Sequence, residues 1–127
     1  MTPLWIRVLT GLGSLILLIT AGLHLGGLDD LNLLFETTNS EFLESAIKGV
    51  WILLSVQFLF MACLAFGLSF YRSWGCAAVL MAFACWLFVN ALIIFANVGF
   101  FIAIPMLIIA GLCYGISGLT IRRSMKS

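Results

Sequence analysis

SWGCAAVLMAFACWLFVNALIIFANVGFFIAIPMLIIAGLCYGISGLTI, residues 73–121, contains no Asp, Glu, Lys, Arg or His. A soluble domain would break such a run with surface charge. At about 1.5 Å per residue, one straight helix over this stretch would reach roughly 74 Å, whereas the hydrocarbon core of a bilayer is about 30 Å thick. The stretch therefore crosses a membrane twice. Arg72 and Arg122, which bracket it, must then lie on the same side.

The rest of the chain agrees. Of its 127 residues, 64% are hydrophobic and 9% charged, against roughly 25% charged in soluble domains, and the mean hydropathy is +1.24. Charge-free runs also cover Gly49 to Tyr71 and, apart from His24, Val8 to Leu28. With about 20 residues per crossing, the pattern predicts an all-α integral membrane four-helix bundle forming one domain, 1–127. Its spans fall at about 5–27, 46–70, 75–96 and 100–120, with a loop at 28–45. Spanning backbone must satisfy its own hydrogen bonds, and nothing alternates as a barrel strand does. The turn between the last two spans is expected at Asn97-Val98-Gly99, where Asn and Gly supply turn chemistry.

Direction comes from the charges. Arg7, Arg72, Arg122, Arg123 and Lys126 fall on one side of this four-span arrangement and Lys48 on the other. Basic loops stay in the cytoplasm, so both termini are expected there. Trp5, Trp51, Tyr71 and Trp74 stand at span ends, as an interfacial aromatic belt requires. Span 1 is read as a retained helix, its apolar stretch being longer than that of a cleaved signal peptide. All five acids, Asp29, Asp30, Glu36, Glu41 and Glu44, lie in one window. They match no calcium loop and are expected to form a solvated outer segment. Within it, Leu31, Leu34 and Phe35 have the spacing of a surface helix, Thr38 and Glu41 match a capping box, and Glu44 and Lys48 form an i,i+4 pair. Net charge is +1, which gives no reason to expect nucleic acid. The expected partner is the lipid bilayer, with a membrane protein or a second copy as a further partner.

Small residues indicate where membrane helices approach closely. Candidates are Gly22 and Gly26 in span 1, Gly111, Gly115 and Gly118 in span 4, and the stripe Ala78, Ala82 and Cys85 in span 3. Such faces serve intrachain packing or a homodimer. Pro105 is expected to bend the outer half of span 4. Cys63, Cys76, Cys85 and Cys113 have no C-x-x-C spacing and read as small apolar packing residues.

Polar groups within lipid face the bundle interior or a cavity. His24, Gln57 and Asn90 all fall in the outer half, Gln57 and Asn90 roughly 10–14 Å deep by helix rise. They are the candidate ligand-binding residues of a small pocket open to the outside. No cofactor is expected. Haem would need an axial partner for the lone His, and only a Met such as Met106 lies at a comparable depth. With one His and no buried acid, no metal site is expected. No catalytic motif is present, so the chain is expected to be no enzyme.

The opening Arg7-Val-Leu-Thr-Gly11, followed by Ala21-Gly22-Leu-His24, resembles the first span of the DoxX-like bacterial membrane families. The resemblance covers span 1. It implies a small bacterial inner-membrane protein, an accessory to a redox system. Small multidrug exporters share the size and span number, but their membrane-embedded Glu in the first span is missing. The expected function is an accessory or scaffold subunit. The alternative is a binder or carrier of a small apolar molecule, a quinone or lipid, in the outer-half pocket, and a redox-associated enzyme subunit stands third.

Overall fold

A computed structural model describes residues 2–28 and 41–125. Among them are four helices: α1 (Leu4–Gly26), α2 (Glu41–Leu68), α3 (Trp74–Val98) and α4 (Ala103–Ser124). No strand occurs among the described residues, and each helix is long and apolar enough to cross a membrane. Helix α2 is already helical at Glu41, and the Glu44–Lys48 pair forms on its first turns. Thr38, the surface-helix positions Leu31, Leu34 and Phe35, and the acids Asp29, Asp30 and Glu36 lie outside the described residues.

The turn between α3 and α4 sits later than its sequence suggests. Asn97 remains inside α3, its Nδ2 donating to the Ile93 carbonyl at 2.8 Å. The helix stops instead at Gly99, whose φ of 90° is open to glycine at little cost. At the other end of α3, Ser73 is an extended N-cap whose Oγ accepts from the Cys76 amide at 3.1 Å. Pro105 has a place in α4 that argues against a kink. It occupies the first turn of α4, just after the cap at Ile102, where an amide has no intrahelical acceptor and proline's missing N–H removes nothing. Pro105→Ala is accordingly expected to leave the helix direction unchanged. It should lower thermal stability in detergent by no more than about 1 kcal/mol, the unfolded-chain entropy that proline removes.

The helices run alternately up and down. Thr2 Oγ1 donates to the Ser69 carbonyl, Arg72 Nη2 to the Ser124 carbonyl, and Arg122 lies 5.8 Å from the centre of the Trp74 ring. The start of α1, the end of α4 and the α2–α3 turn therefore meet at one end of the bundle. Helices α1 and α4 form the central pair, α2 flanks α1, α3 flanks α4, and α2 and α3 touch only sparsely.

The central seam is polar as well as close-packed. Thr10 Oγ1 donates to the Ile6 carbonyl at 2.8 Å and pairs with Ser117 Oγ at 3.0 Å. Ser14 Oγ and Tyr114 Oη are 3.1 Å apart, and Thr20 Oγ1 reaches Met106 Sδ at 3.8 Å. Rising numbers on α1 meet falling numbers on α4, as an antiparallel pair requires. In lipid such cross-helix bonds each contribute about 0.6 kcal/mol, so they set register more than stability.

Close approach depends on glycines other than those of the span-1 motif. A Cβ on Gly13 would stand 2.9 Å from Cys113 Cβ and 3.0 Å from Tyr114 Cε1. A Cβ on Gly22 or Gly26 would meet nothing within 4 Å among the described residues, so these two do not pack against another described helix. They lie on the opposite side of α1 from its buried stripe, Ile6, Thr10, Gly13, Ser14, Leu17 and Ala21. On α4, Gly111, Gly115 and Gly118 all face α3. Added methyls there would lie 3.2 Å from Phe88, 3.5 Å from Ala84 and 2.9 Å from the Ala77 carbonyl, respectively. The α3 face that meets them is Ala77, Leu80, Ala84, Leu87 and Ala91. The expected stripe of Ala78, Ala82 and Cys85 points outward, about 100° round the helix from the true one. Of the cysteines, Cys76 and Cys113 are buried, and Cys63 and Cys85 lie on the outer surface.

Candidate functional site

At the end of the bundle remote from the arginines, all four helices contribute to one cavity of about 410 Å³. Helix α1 supplies Thr20, Leu23 and His24, and α2 supplies Trp51, Leu54 and Phe58. Helix α3 adds Asn90, Ile93 and Ile94, and α4 with its preceding turn adds Phe101 to Ala103, Met106 and Leu107. The cavity occupies the space that the sparse contact between α2 and α3 leaves open. Its volume falls within the range of about 300–1,000 Å³ that holds small organic molecules.

His24 is held by Trp51. The two rings stack with centroids 3.8 Å apart and planes 11° from parallel, and Trp51 Nε1 donates to the His24 carbonyl. That carbonyl belongs to the last turn of α1 and also accepts from the capping Gly27 amide at 3.2 Å. Gly27 admits the indole: a Cβ there would stand 3.1 Å from Trp51 Cζ2. Phe58 meets the imidazole edge-on, at 6.5 Å and 72°. The stack fixes the imidazole plane, and Trp51 lines the cavity.

Two of the polar side chains that line the cavity donate to carbonyls of their own helices. Thr20 Oγ1 donates to the Ile16 carbonyl at 2.8 Å, and Asn90 Nδ2 donates to the Trp86 carbonyl at 2.8 Å. Of the buried side-chain polar atoms among the described residues, His24 Nε2 is the one with no hydrogen-bond partner. Leaving such a group unsatisfied costs about 1–3 kcal/mol. A molecule that bonds to it recovers that cost.

His24 and Asn90 thus share a cavity, as their depths suggest, but Gln57 does not line it. The wall formed by α2 runs through Trp51, Leu54 and Phe58, and Gln57 sits about 100° round the helix from Phe58. Among the lining residues that the sequence reading did not assign to a pocket are Trp51, Phe58 and Thr20. Trp51 and Phe58, separated by i,i+7 on the span that faces His24, carry a usable signal. Met106 lines the same cavity. Among the described residues no three His, Cys, Asp or Glu side chains group as a metal site needs.

Compared with protein-family models, curated proteins and solved structures, the chain matches none.

Proposed function

We propose that this multi-pass membrane protein holds a small, largely apolar molecule, such as a quinone or a lipid, in the outer-half cavity and carries out no reaction on it. The observation that carries this reading is the buried Nε2 of His24, without a hydrogen-bond partner among the described residues, in a mostly apolar chamber. A neutral imidazole nitrogen either donates or accepts, so the fitting ligand presents one carbonyl or hydroxyl to His24 and buries the rest among Leu23, Phe58, Ile94 and Leu107. Asn90 is a second polar contact through its amide oxygen. The bundle belongs in a bacterial inner membrane with both termini in the cytoplasm. The gathering of Arg7, Arg72 and Arg122 at one end supports this orientation.

A second reading, an accessory subunit, draws on the other face of α1. Gly22 and Gly26 are exposed with open space where a Cβ would be. A helix of a partner membrane protein, or of a second copy, can approach closely there.

Native mass spectrometry after gentle extraction in mild detergent tests both readings. The binding reading expects a retained small molecule at fixed stoichiometry, lost in His24→Ala and kept in Gln57→Ala. A chain that emerges bare, or a retained molecule indifferent to His24, sinks it. A second polypeptide lost in Gly22→Leu would favour the subunit reading instead.

A further inference from the structure

The arginine end of the bundle has a groove of its own, about 350 Å³ in volume, between the start of α3 and the end of α4. Trp74, Ala77, Ala78 and Met81 form its apolar floor and Arg122 its rim. The floor is continuous because Gly118 lets α4 settle against the Ala77 carbonyl and Met81. Arg122 lies over the Trp74 ring at 5.8 Å, which places a guanidinium at the level of an interfacial tryptophan.

Among the described residues the charge around this groove is of one sign. Arg7, Arg72, Arg122 and Arg123 gather at this end. The carboxylates among the described residues, Glu41 and Glu44, lie at the far end of α2, where Glu44 pairs with Lys48. No described carboxylate reaches any of these arginines. We infer that the groove is a binding site for an anionic phospholipid, whose phosphate pairs with the Arg122 guanidinium while an acyl chain lies along Ala77, Ala78 and Met81. Charge complementarity selects the headgroup, and the apolar floor between two spans selects a lipid over a soluble phosphate. The inference is independent of the outer cavity, which lies at the opposite end and lacks a charged side chain.

The full chain is purified in mild detergent and titrated with palmitoyl-oleoyl-phosphatidylglycerol or palmitoyl-oleoyl-phosphatidylcholine, and bound lipid is counted by native mass spectrometry. The glycerol lipid should be retained in preference to the choline lipid. Arg122→Gln should weaken that retention by about fivefold, the worth of one well-placed cation. Arg123→Gln removes the same charge from outside the groove and should weaken it far less. Ala78→Phe keeps every charge, sits on an exposed position that tolerates bulk, and fills the groove. It should weaken retention as Arg122→Gln does. Equal effects of Arg122→Gln and Arg123→Gln, or full retention in Ala78→Phe, would overturn the site in favour of a diffuse positive field.

Discussion

Gly13→Leu and Gly118→Leu should abolish cooperative thermal melting of the bundle in detergent, while Gly22→Leu and Gly26→Leu leave it intact. The four sites differ in what a side chain would meet. At Gly118 even a methyl would stand 2.9 Å from the Ala77 carbonyl, which is backbone and cannot rotate away. At Gly13 it would stand 2.9 Å from Cys113 Cβ, with the Ala110 carbonyl at 3.3 Å. Relief requires α1 or α3 to move off α4, breaking the seam that the other contacts depend on. Overpacking by a single methylene typically costs about 1–3 kcal/mol, which is the expected loss for Gly13→Ala, and Leu adds three more carbons to a space that does not admit the first. At Gly22 and Gly26 nothing stands within 4 Å. Replacing a helical glycine there should be neutral or stabilising, by up to about 1 kcal/mol of helix propensity. Circular dichroism melts of the purified variants separate the two classes. Equal losses at Gly13 and Gly22 would mean that α1 is rotated from the register described. A loss at Gly22 that depends on protein concentration would instead report a partner on that face.

These pairs of residues also mark how far the sequence alone reveals the fold. The charge-free runs locate all four spans, because a charge at the bilayer centre is costly and a long stretch without one marks a crossing. Depth is legible too: counting along helices places His24 and Asn90 at levels that share one cavity. Azimuth is not. The sequence pattern favours Gly22 over Gly13 and Ala78 over Ala77, and it includes Gln57 where Phe58 lines the wall. The alanine and Gln57 discrepancies are one-residue rotations, and Gly22, although also roughly 13 Å further along α1, differs from Gly13 in facing the opposite way. In water the apolar stripe of a helix reveals its inner face, but lipid is as apolar as the bundle interior, so the stripe carries no such information. A glycine motif then looks alike on either face. The turn at Gly99 differs from its expected place for a related reason. Asn97 satisfies its side-chain amide on the Ile93 carbonyl and so continues the helix that its turn preference would end.

Tyr114 offers the sharpest separation of packing from hydrogen bonding. It is fully buried, its ring lies against Gly13 and 6.4 Å from the Phe83 ring centroid, and its hydroxyl meets Ser14 Oγ at 3.1 Å. Tyr114→Ala should cost about 3–5 kcal/mol, the usual loss when a buried aromatic ring is deleted and its cavity only partly closes. Tyr114→Phe keeps the ring and removes only the cross-helix bond. The stranded Ser14 hydroxyl can turn to a carbonyl of its own helix, so the cost should be near the membrane average of about 0.6 kcal/mol and below about 1.7. Ser14→Ala should cost a similar amount. The double variant Ser14→Ala with Tyr114→Phe should cost little more than either alone, since both remove the same bond. Denaturant titration in a fixed detergent, with helicity as readout, resolves differences of this size. If Tyr114→Phe proved as damaging as Tyr114→Ala, the hydroxyl ladder would be holding α1 to α4 and the packing account of that seam would fail. The comparison also bears on the cavity at His24. Thr20, His24 and Met106 lie on the same two helices, farther along the seam. Tyr114→Phe should therefore leave the retention of a His24-dependent ligand unchanged, whereas Tyr114→Ala, by loosening the pair that fixes the spacing of these walls, should abolish it.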